Sequence, residues 1–514
     1  MAASGARVAV PRGEAGYFAG ADNFWRNRPI YDNDTTYNDF FAPTTTIPAD
    51  RELVGDVDGR RVAFTGDVIH HAAKPWTLFD LEWSYGQQTG LGSLSLTLQT
   101  LAGLDLAALL PSHGQVIDAP ATACAALNTR LSAYHQWLNL YRYVVTAGYP
   151  LLPWDTRLLP LTPHLWANTT SVANSYTLLT DDGTAMFLDY GFPSSSHFAG
   201  NFRFAEHSLD ELRRVAGLQR IEVVLPSHYH DDHVGGLQHL YEKYGAHLWV
   251  FENMADILAH PHAYKIPCLW EKPMVASKIF GEGESFSWRG TSFQATKTPG
   301  HTEYHCALRF ELDGRRIAYV GDTLARASAG PRFGGPVFQN RFRPADFVES
   351  VTKIRDFAPE FILTGHFGAQ RVEPAFFDAA LAQARAIEGI AWGLIAVPEE
   401  AGFALDPNWA TLYPYQPTVG AGEQFELAVR VVNHLSSTTA ASAELRLPAG
   451  WESTTVINPV EIGSGDVGEI SFRVTVPRSA ATNERHVVVA TVNLGSRRFG
   501  PVAEGIVRVI ERPQ

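Results

Sequence analysis

The chain has 514 residues, of which 45% are hydrophobic and 18% are charged, and its 41 basic and 54 acidic side chains leave a formal net charge of −13. This length corresponds to about three domains, and the apolar fraction excludes an intrinsically disordered chain. The acidic balance argues against a nucleic-acid binder, or a protein held at an anionic membrane, by bulk electrostatics.

The cysteine pattern and the absence of long apolar runs bear on the compartment. Cys124, Cys268 and Cys306 are far apart and form neither a disulfide framework nor a CxxC metal pair. No apolar run approaches the roughly 18 to 20 residues of a membrane span, and the first residues lack the apolar core of a signal peptide. We therefore expect a reduced, cytoplasmic protein without a membrane partner.

The first 150 residues contain segments that recur later in the chain. Three segments recur in the same order: GARVAV (5–10) as GAHLWV (245–250), DGRRVAFTGD (58–67) as DGRRIAYVGD (313–322), and LLPSHG (109–114) as ILTGHF (362–367). Their offsets are 240, 255 and 253 residues, and such self-similarity indicates an internal duplication. We predict that 1–150 form a partial, degenerate copy of the unit at 151–396, with a connecting helix at 129–148.

The middle of the chain alternates strand and helix patterns. The predicted elements are a hairpin at 171–180 and 184–191, helices at 208–218, 235–245 and 375–394, and strands at 221–226, 246–251, 315–321 and 360–365. The Asp182-Gly183 pair is typical of a tight hairpin turn, and Gly245 suits the end of a helix. This alternation predicts an α/β fold.

A dense cluster of metal-binding side chains falls between a predicted strand and a predicted helix. The sequence PSHYHDDHVGG at 226–236 contains His228, His230, Asp232 and His233. Imidazole nitrogens and carboxylate oxygens at this density suit Zn²⁺ or a similar first-row metal. The cluster therefore predicts a metal site on a strand-to-helix loop.

The HxHxDH sequence at 228–233 resembles the signature of the metallo-β-lactamase fold superfamily. The other elements of that pattern follow in order as TPGHT (298–302), YVGDT (319–323) and LTGHF (363–367). The resemblance implies an αββα sandwich with two metal ions, Zn²⁺ or alternatively Fe or Mn. It implies one metal bound by His228, His230 and His301, a second bound by Asp232, His233 and His366, and Asp322 as the bridge between them. It also implies that Asp232 holds and shuttles a proton.

The implied site indicates the chemistry. Two metals that share a water lower its pKa and stabilise a developing oxyanion, so no serine or cysteine nucleophile is needed. We expect a hydrolase acting on a small ester, lactone or thioester, with no nucleic-acid partner. An iron-dependent oxidoreductase of the same fold, similar to a sulfur dioxygenase, and a non-enzymatic binding protein remain alternatives. The sequence leaves open whether the chain forms a homo-oligomer.

Several neighbouring residues have two interpretations. His305 either supports a ligand or is a packed strand residue, and Tyr229 either points into the core or contacts substrate. Cys306 is expected to be a buried thiol in a strand. The segment at 260–270 is either an ordinary surface loop or a lid that contributes Tyr264, Lys265 or Trp270.

The N-terminal copy keeps only two counterparts of the predicted ligands. Asp67 matches Asp322 and His113 matches His366, whereas the stretch matching HxHxDH would precede the first residue. Two ligands cannot build a dinuclear site. We therefore expect this copy to serve packing, dimerisation or the shape of the active-site mouth.

The C-terminal part shows short strands in which apolar residues alternate with polar ones. They lie at 425–431, 442–447, 470–476, 485–492 and 503–510 and are separated by PAG, GSG and GS turns. Regularly spaced short strands are typical of an antiparallel sandwich. We predict an Ig-like all-β sandwich at 408–514 without a catalytic role.

Overall fold

The computed structural model describes residues 9–11, 51–53, 60–78, 81, 89–141, 158–168, 171–191, 203–328, 330–336 and 338–511. Within these ranges the chain forms two large central sheets, helices that cover them, and a C-terminal pair of sheets. None of the helices in these ranges is long and apolar enough to cross a membrane.

The N-terminal part contributes short parallel strand pairs and two helices. Its elements are β1 (Ala9–Pro11), β2 (Arg51–Leu53), β3 (Val62–Gly66), α1 (Thr89–Gly103), β4 (Ala108–Pro111) and α2 (Pro120–Tyr141). The predicted connecting helix at 129–148 is wrong in its start, because the helix begins at Pro120, a residue whose fixed φ suits a first turn. Residues 142–148 and most of the 5–10 segment lie outside the described residues.

A seven-stranded sheet forms the first layer of the middle part. Its strands are β5 (Leu158–Thr162), β6 (Leu165–Asn168), β7 (Ser175–Leu179), β8 (Thr184–Leu188), β9 (Arg220–Leu225), β10 (His247–Phe251) and β11 (Lys278–Phe280), in the order β11-β10-β9-β8-β7-β6-β5. The helices α3 (Arg203–Ala216), α4 (Asp231–Tyr244) and α5 (Glu252–Ala259) join the parallel strands. The predicted hairpin is confirmed as β7 and β8, with Gly183 in its turn at φ +76°.

A six-stranded sheet forms the second layer. Its strands are β12 (Ser285–Trp288), β13 (Thr291–Lys297), β14 (Cys306–Leu312), β15 (Arg315–Gly321), β18 (Phe361–Thr364) and β19 (Gly368–Arg371). A small hairpin of β16 (Ala325–Ala327) and β17 (Gly330–Arg332) and the helices α6 (Asp346–Asp356), α7 (Pro374–Leu394) and α8 (Ala401–Leu405) complete this part. Phe187 on β8 and Phe293 and Tyr319 on the second sheet belong to one buried core. The predicted αββα sandwich is therefore confirmed.

Strands β3 and β4 repeat the pairing of β15 and β18. The register joins Val62, Ala63, Phe64 and Gly66 to Ala108, Leu109, Leu110 and Pro111, and joins Ile317, Ala318, Tyr319 and Gly321 to Phe361, Ile362, Leu363 and Thr364. Both ladders skip one residue before the glycine, and these positions correspond at the offsets of the aligned segments. The backbone hydrogen bond from Gly365 to Gly321 (2.8 Å) has its counterpart from Ser112 to Gly66 (2.9 Å). This agreement supports the duplication, which stays a prediction.

The N-terminal part shares a second buried core with the middle part. Leu131, Tyr134 and Trp137 on α2 belong to the same cluster as Phe376 and Ala380 on α7. The Trp137 indole N–H donates to the Gln383 carbonyl oxygen at 3.1 Å, and its ring lies 5.8 Å from the Phe333 ring and 6.3 Å from the Phe347 ring. The N-terminal part therefore contributes to the packing behind the second sheet.

The C-terminal part is a pair of β-sheets with its own core. One sheet has the order β20-β22-β26-β24 and the other β21-β28-β27-β23-β25. The bounds are β20 (Ala410–Tyr413), β21 (Thr418–Gly420), β22 (Gln424–Val432), β23 (Thr439–Arg446), β24 (Glu452–Ile457), β25 (Val460–Ile462), β26 (Val467–Thr475), β27 (Glu484–Leu494) and β28 (Arg497–Ile510). Every residue of β24 is exposed, so it carries no alternation that could have predicted it. The five predicted strands are present, whereas the Ig-like assignment stays a prediction.

We expect the change Trp137→Ala to reduce the free energy of unfolding by about 3 to 5 kcal/mol, because a buried indole leaves a cavity at this interface. Urea unfolding of the full chain measures this effect. Gln136→Ala, an exposed neighbour on α2, is the control and should change the stability by no more than about 0.5 kcal/mol. Equal stability of the two variants would contradict a shared core.

Candidate metal centre

The predicted ligands meet where strands of both sheets end. His228 and His230 lie between β9 and α4, Asp232 and His233 in the first turn of α4, His301 between β13 and β14, Asp322 directly after β15, and His366 after β18. Four different stretches of chain therefore supply the site. The HxHxDH motif lies at a strand-to-helix junction as predicted, although its last two ligand positions already belong to the helix.

The first group of predicted ligands consists of three histidines. His230 Nδ1 lies 2.9 Å from His228 Nε2 and 3.2 Å from His301 Nε2. The side chains are buried, and their nitrogens lie close enough together to hold one metal ion. Nitrogens from three imidazoles that converge in this way match the donor set of a zinc-type site.

The second group consists of Asp232, His233 and His366, whose donor atoms also lie close enough to hold a metal. The Asp232 carboxylate is 3.4 Å from His366 Nε2 and 3.7 Å from His233 Nε2. Asp322 lies between the two groups, with oxygens 3.4 Å from His233 Nε2, 3.2 Å from His366 Nε2 and 3.6 Å from His301 Nε2. Its position fits the bridging role that the sequence implies.

A protein group contacts the outer ring nitrogen of each histidine in both groups. The contacts are Ser227 Oγ with His228 (3.0 Å), the Asn340 amide with His230 (3.1 Å), Asp189 with His233 (2.8 Å), the Gly335 carbonyl oxygen with His301 (3.0 Å) and the Val172 carbonyl oxygen with His366 (3.0 Å). Such partners orient an imidazole and set which nitrogen carries the proton. The nitrogens that face the centre are thereby left as donors for a metal.

Asp189 supports both groups and was missed by the sequence analysis. It follows β8 with φ +49°, a conformation that Asp tolerates better than most residues. Its carboxylate accepts hydrogen bonds from the Ser227 amide and hydroxyl (2.8 Å each) and lies 2.8 Å from His233 Nδ1. The available signal was an acidic residue directly after the apolar strand in MFLDYG (186–191).

The His305 ring supports Asp322 by binding the backbone amide of Asp322. His305 is fully buried, and its Nε2 accepts a hydrogen bond from the Asp322 amide at 3.1 Å. Its Nδ1 lies 2.8 Å from Thr298 Oγ1, so this nitrogen carries the proton. Cys306 is a fully buried free thiol in β14, as expected.

Burial governs the protonation of the three-histidine group. It is the largest influence on the pKa of His228 and His230, which lie well below the usual range, and it also lowers the pKa of His301. These imidazoles are therefore neutral at pH 7 and present free lone pairs.

The second group is held by opposite charges. Burial would lower the pKa of His233 and His366, but the carboxylates of Asp189, Asp232 and Asp322 outweigh it, raising the pKa of His366 to about 10 and that of His233 well above its usual range. Burial would raise the pKa of Asp232 and Asp322, but the nearby histidines outweigh this effect. They hold the pKa of Asp232 at about 2 and that of Asp322 well below its usual value. Without metal, this group is thus a set of buried ion pairs.

The donor set fits two first-row metal ions. The groups offer only nitrogen and oxygen atoms, and no cysteine belongs to a metal-capable group within the described residues. His233 Nε2 and Asp322 Oδ1 are buried and have no hydrogen-bond partner in that part of the chain. Buried polar atoms in this state call for an ion or a water, and nitrogen and oxygen donors bind Zn, Fe and Mn alike.

Two glycines allow the backbone to approach the site closely. A Cβ at Gly365 would lie 2.1 Å from Asp322 Oδ1 and 2.7 Å from His233 Cε1. A Cβ at Gly191 would lie 1.8 Å from the Asp232 carbonyl oxygen. All three distances are shorter than real Cβ contacts, so only glycine fits at residues 365 and 191.

The residues of the 260–270 segment contact the C-terminal sandwich and the core. Lys265 forms an ion pair with Glu504 of β28, and the Tyr264 hydroxyl donates to Asp256 at 2.5 Å. Trp270 is buried in the core between the sheets. These contacts give no support to a lid made by Tyr264, Lys265 or Trp270.

The counterparts in the N-terminal copy also lie together. His113 Nε2 is 3.5 Å from the Asp67 carboxylate, much as His366 Nε2 is 3.2 Å from Asp322. The His113 ring stacks on Trp76 with the centroids 4.1 Å apart. In the described N-terminal ranges, no three metal-capable side chains come within reach of one ion.

A match to a protein-family model covers the part of the chain that holds this arrangement. The model of the metallo-beta-lactamase superfamily matches residues 171–366, the range that holds both groups of predicted ligands. The chain contains a metallo-beta-lactamase superfamily domain. The α/β fold and the resemblance inferred from HxHxDH are thereby confirmed.

Two curated relatives of this metallo-beta-lactamase superfamily domain are hydroxyacylglutathione hydrolases. A hydroxyacylglutathione hydrolase of Pseudomonas putida is 28% identical over 155 residues, which are 30% of this chain and 53% of that protein. One of Stenotrophomonas maltophilia is 26% identical over 224 residues, which are 42% of this chain and 71% of that protein. The chain spans about half the length of the first of these relatives, so the similarity concerns the domain.

Solved structures of metallo-beta-lactamases are also similar. One from Cronobacter sakazakii is 18% identical with a TM-score of 0.36 and covers 50% of this chain and 98% of its own. A class B3 di-zinc metallo-beta-lactamase from an Alaskan soil metagenome is 14% identical with a TM-score of 0.33, at the same two coverages.

We expect metal uptake by the second group to release protons, because His233 and His366 are protonated at pH 7 and a metal displaces those protons. The affinity for this metal should therefore rise with pH towards about 10, the pKa of His366. Calorimetry in two buffers of different ionisation enthalpy measures the release. His366→Ala, which leaves the three-histidine group intact, should bind one metal with less proton release. Equal release by the variant and the unchanged chain would contradict the assignment.

We expect Gly365→Ala to lose metal from the superfamily domain while the chain stays folded, because the added methyl group displaces Asp322 and His233. The metal content of the purified protein measures the loss, and circular dichroism checks the fold. Gly389→Ala on α7 is the matched control, since a Cβ there meets no atom within 4 Å. Full metal content in Gly365→Ala would contradict the close approach.

Proposed function

We propose that this chain is a metal-dependent hydrolase that acts on a small thioester, ester or lactone. The observation that carries the proposal is the position of Asp322 between two groups of nitrogen and oxygen donors. Sites that would hold two metal ions close together around a shared carboxylate are a known hydrolytic arrangement. The predicted ligands His228, His230, His301, Asp232, His233, His366 and Asp322 would hold them, as two Zn²⁺ ions or as Fe or Mn.

Two bound metals supply an activated water and an acid that polarises the scissile carbonyl. The chain orients the ligands through the outer partners of each imidazole and keeps bulk water from most of the donors, which are buried. Asp232 is the most exposed of the ligand side chains that form ion pairs here, at 20%. We assign to its carboxylate the role of holding the proton released by the attacking water and passing it to the leaving group.

A thioester is the favoured substrate class within this proposal. The curated relatives are named hydroxyacylglutathione hydrolases, and a hydroxyacyl group on the thiol of glutathione is a thioester. A thiolate is a good leaving group, so its departure needs little help from an acid. The three cysteines are buried and form no disulfide, which supports a hydrolytic route without a cysteine nucleophile and fits a reducing, cytoplasmic compartment.

We expect protein purified without added metal to contain stoichiometric Zn, Fe or Mn and to hydrolyse a hydroxyacyl thioester faster than a phosphodiester or a β-lactam. Mass spectrometry of the metals and a panel of these substrates, extended by a lactone, test both statements. Asp322→Ala should abolish hydrolysis, since it removes the carboxylate shared by both groups. His239→Ala is the control, because His239 on α4 pairs with Glu206 on α3 and belongs to neither group of predicted ligands.

Two results would overturn the proposal. Stoichiometric iron without hydrolysis of any of these substrates would favour the oxidoreductase alternative. A chain that takes up no metal would favour a binding protein.

A further inference from the structure

The side chain between two predicted ligands points away from the centre. Tyr229 separates His228 from His230 in sequence and is fully buried. Its hydroxyl lies 2.8 Å from the Pro267 carbonyl oxygen and 2.7 Å from Asn340 Oδ1. One hydroxyl thus contacts two different segments of chain, 261–269 and 338–341.

Asn340 is also the outer partner of His230. Asn340 is fully buried, and its amide lies 3.1 Å from His230 Nε2, on the side of the ring opposite the Nδ1 that faces His228 and His301. A neutral imidazole that binds metal through Nδ1 carries its proton on Nε2 and needs an acceptor there. The amide meets that need when Oδ1 faces His230, the Asn nitrogen donates to Tyr229, and Tyr229 donates to Pro267. A rotation of the Asn340 amide by half a turn exchanges its oxygen and its nitrogen without changing its shape.

The 261–269 segment also contacts the HxHxDH loop directly. The Asp231 amide donates to the Cys268 carbonyl oxygen at 2.9 Å, and His230 and Leu269 form an isolated antiparallel bridge. Any shift of this segment therefore shifts the backbone of His230 as well as the acceptor of Tyr229.

The C-terminal sandwich holds the 261–269 segment at several points. The Tyr415 and Gln416 amides donate to the Ala263 and His262 carbonyl oxygens at 3.0 and 2.8 Å. Lys265 pairs with Glu504 of β28, and both side chains are largely buried, at 18% and 12% exposure. A paired charge in such surroundings fixes its segment more firmly than a surface pair does.

The start of the C-terminal part likewise holds the 338–341 segment. Asn408 Nδ2 donates to the Gln339 carbonyl oxygen at 3.0 Å, and Arg341 Nε donates to Asp406 at 3.0 Å. Arg341 is also paired with Glu303, whose amide donates to the Asn340 carbonyl oxygen at 3.1 Å. Contacts therefore hold Gln339 and Arg341, the two neighbours of Asn340, as well as the backbone of Asn340 itself.

We propose that the C-terminal sandwich positions His230 for metal binding by holding the two segments, 261–269 and 338–341, that fix Tyr229 and Asn340. Tyr229 and Asn340 are positioning residues, and the sandwich is a structural part of the metal centre. This inference rests on the proposed function, because it assigns a role toward the first metal. The arrangement acts on the three-histidine group through the His230 ring, whereas the ring partners of His233 and His366 are Asp189 and the Val172 carbonyl oxygen, which lie outside the two segments.

The first test uses Tyr229→Phe and Asn340→Leu in the full chain, with zinc affinity measured by competition with a chromophoric chelator. We expect each variant to bind one of its two zinc ions at least about tenfold more weakly, the usual cost of losing an outer partner of a ligand. Asn340→Asp keeps an acceptor toward His230 and should stay within about threefold of the unchanged chain. Tyr241→Phe on α4 is the control, since this tyrosine packs against the same core but belongs to neither segment.

The second test separates the sandwich from the local contacts. The double change Lys265→Met with Glu504→Gln should also weaken binding of one zinc ion, and less than additively when combined with Tyr229→Phe, because both act through one network. Arg497→Gln is the control, since the Arg497–Glu400 ion pair (3.0 Å) also links the sandwich to the preceding part but does not hold either segment. Thermal unfolding of the zinc-free variants shows whether each one is folded.

The outcomes distinguish this inference from the proposed function. Unchanged zinc affinity in Tyr229→Phe would overturn the positioning role even if Asn340→Leu fails to fold. Full additivity of the Lys265/Glu504 and Tyr229 changes would overturn the role of the sandwich. If the unchanged chain binds no metal, the proposed function fails and this inference fails with it.

Discussion

The shared carboxylate of Asp322 is the interaction on which the rest of the centre depends. It lies within 3.6 Å of imidazole nitrogens from both groups of predicted ligands and is only 4% exposed. A buried carboxylate is costly unless positive charge compensates it, whether from imidazolium groups or from metal ions. The pKa values of His233 and His366 are raised, so both imidazoles are protonated when no metal is bound. Their positive charges compensate the carboxylate. Protons and metals therefore compete for the same buried atoms.

This requirement explains the backbone around the centre. Asp322 must approach the Gly365 backbone and the α4 helix closely, which is why a side chain is not tolerated at Gly365. The Asp322 amide, at the end of a strand of the second sheet, donates to His305. The His233 ring contacts Asp189, which follows β8 of the first sheet. Strand ends of both sheets are thus joined through one small set of polar contacts. The αββα architecture matters to function because it brings these ends together.

The residues that converge at the centre could be predicted from sequence because they form a dense motif followed by ordered single residues. Asp189 and Asn340 could not, because each is an isolated polar residue whose role depends on a partner far away in sequence. The start of α2 was misjudged because the sequence before 129 is rich in small residues with little helical periodicity. Strand β24 escaped notice because all its side chains face solvent. Local patterns therefore predicted elements with one buried face and missed contacts between elements.

The same limit applies to the division into domains. A boundary near 408 follows from the change in strand pattern, and the sandwich does have its own apolar core. Yet several of its polar contacts with the preceding part reach the segments that hold Tyr229 and Asn340. Domains with independent cores can still share a site when polar contacts connect them, because hydrogen bonds position groups without contributing much to either core. Strand patterns locate cores, whereas the contacts that orient His230 cross the boundary between them.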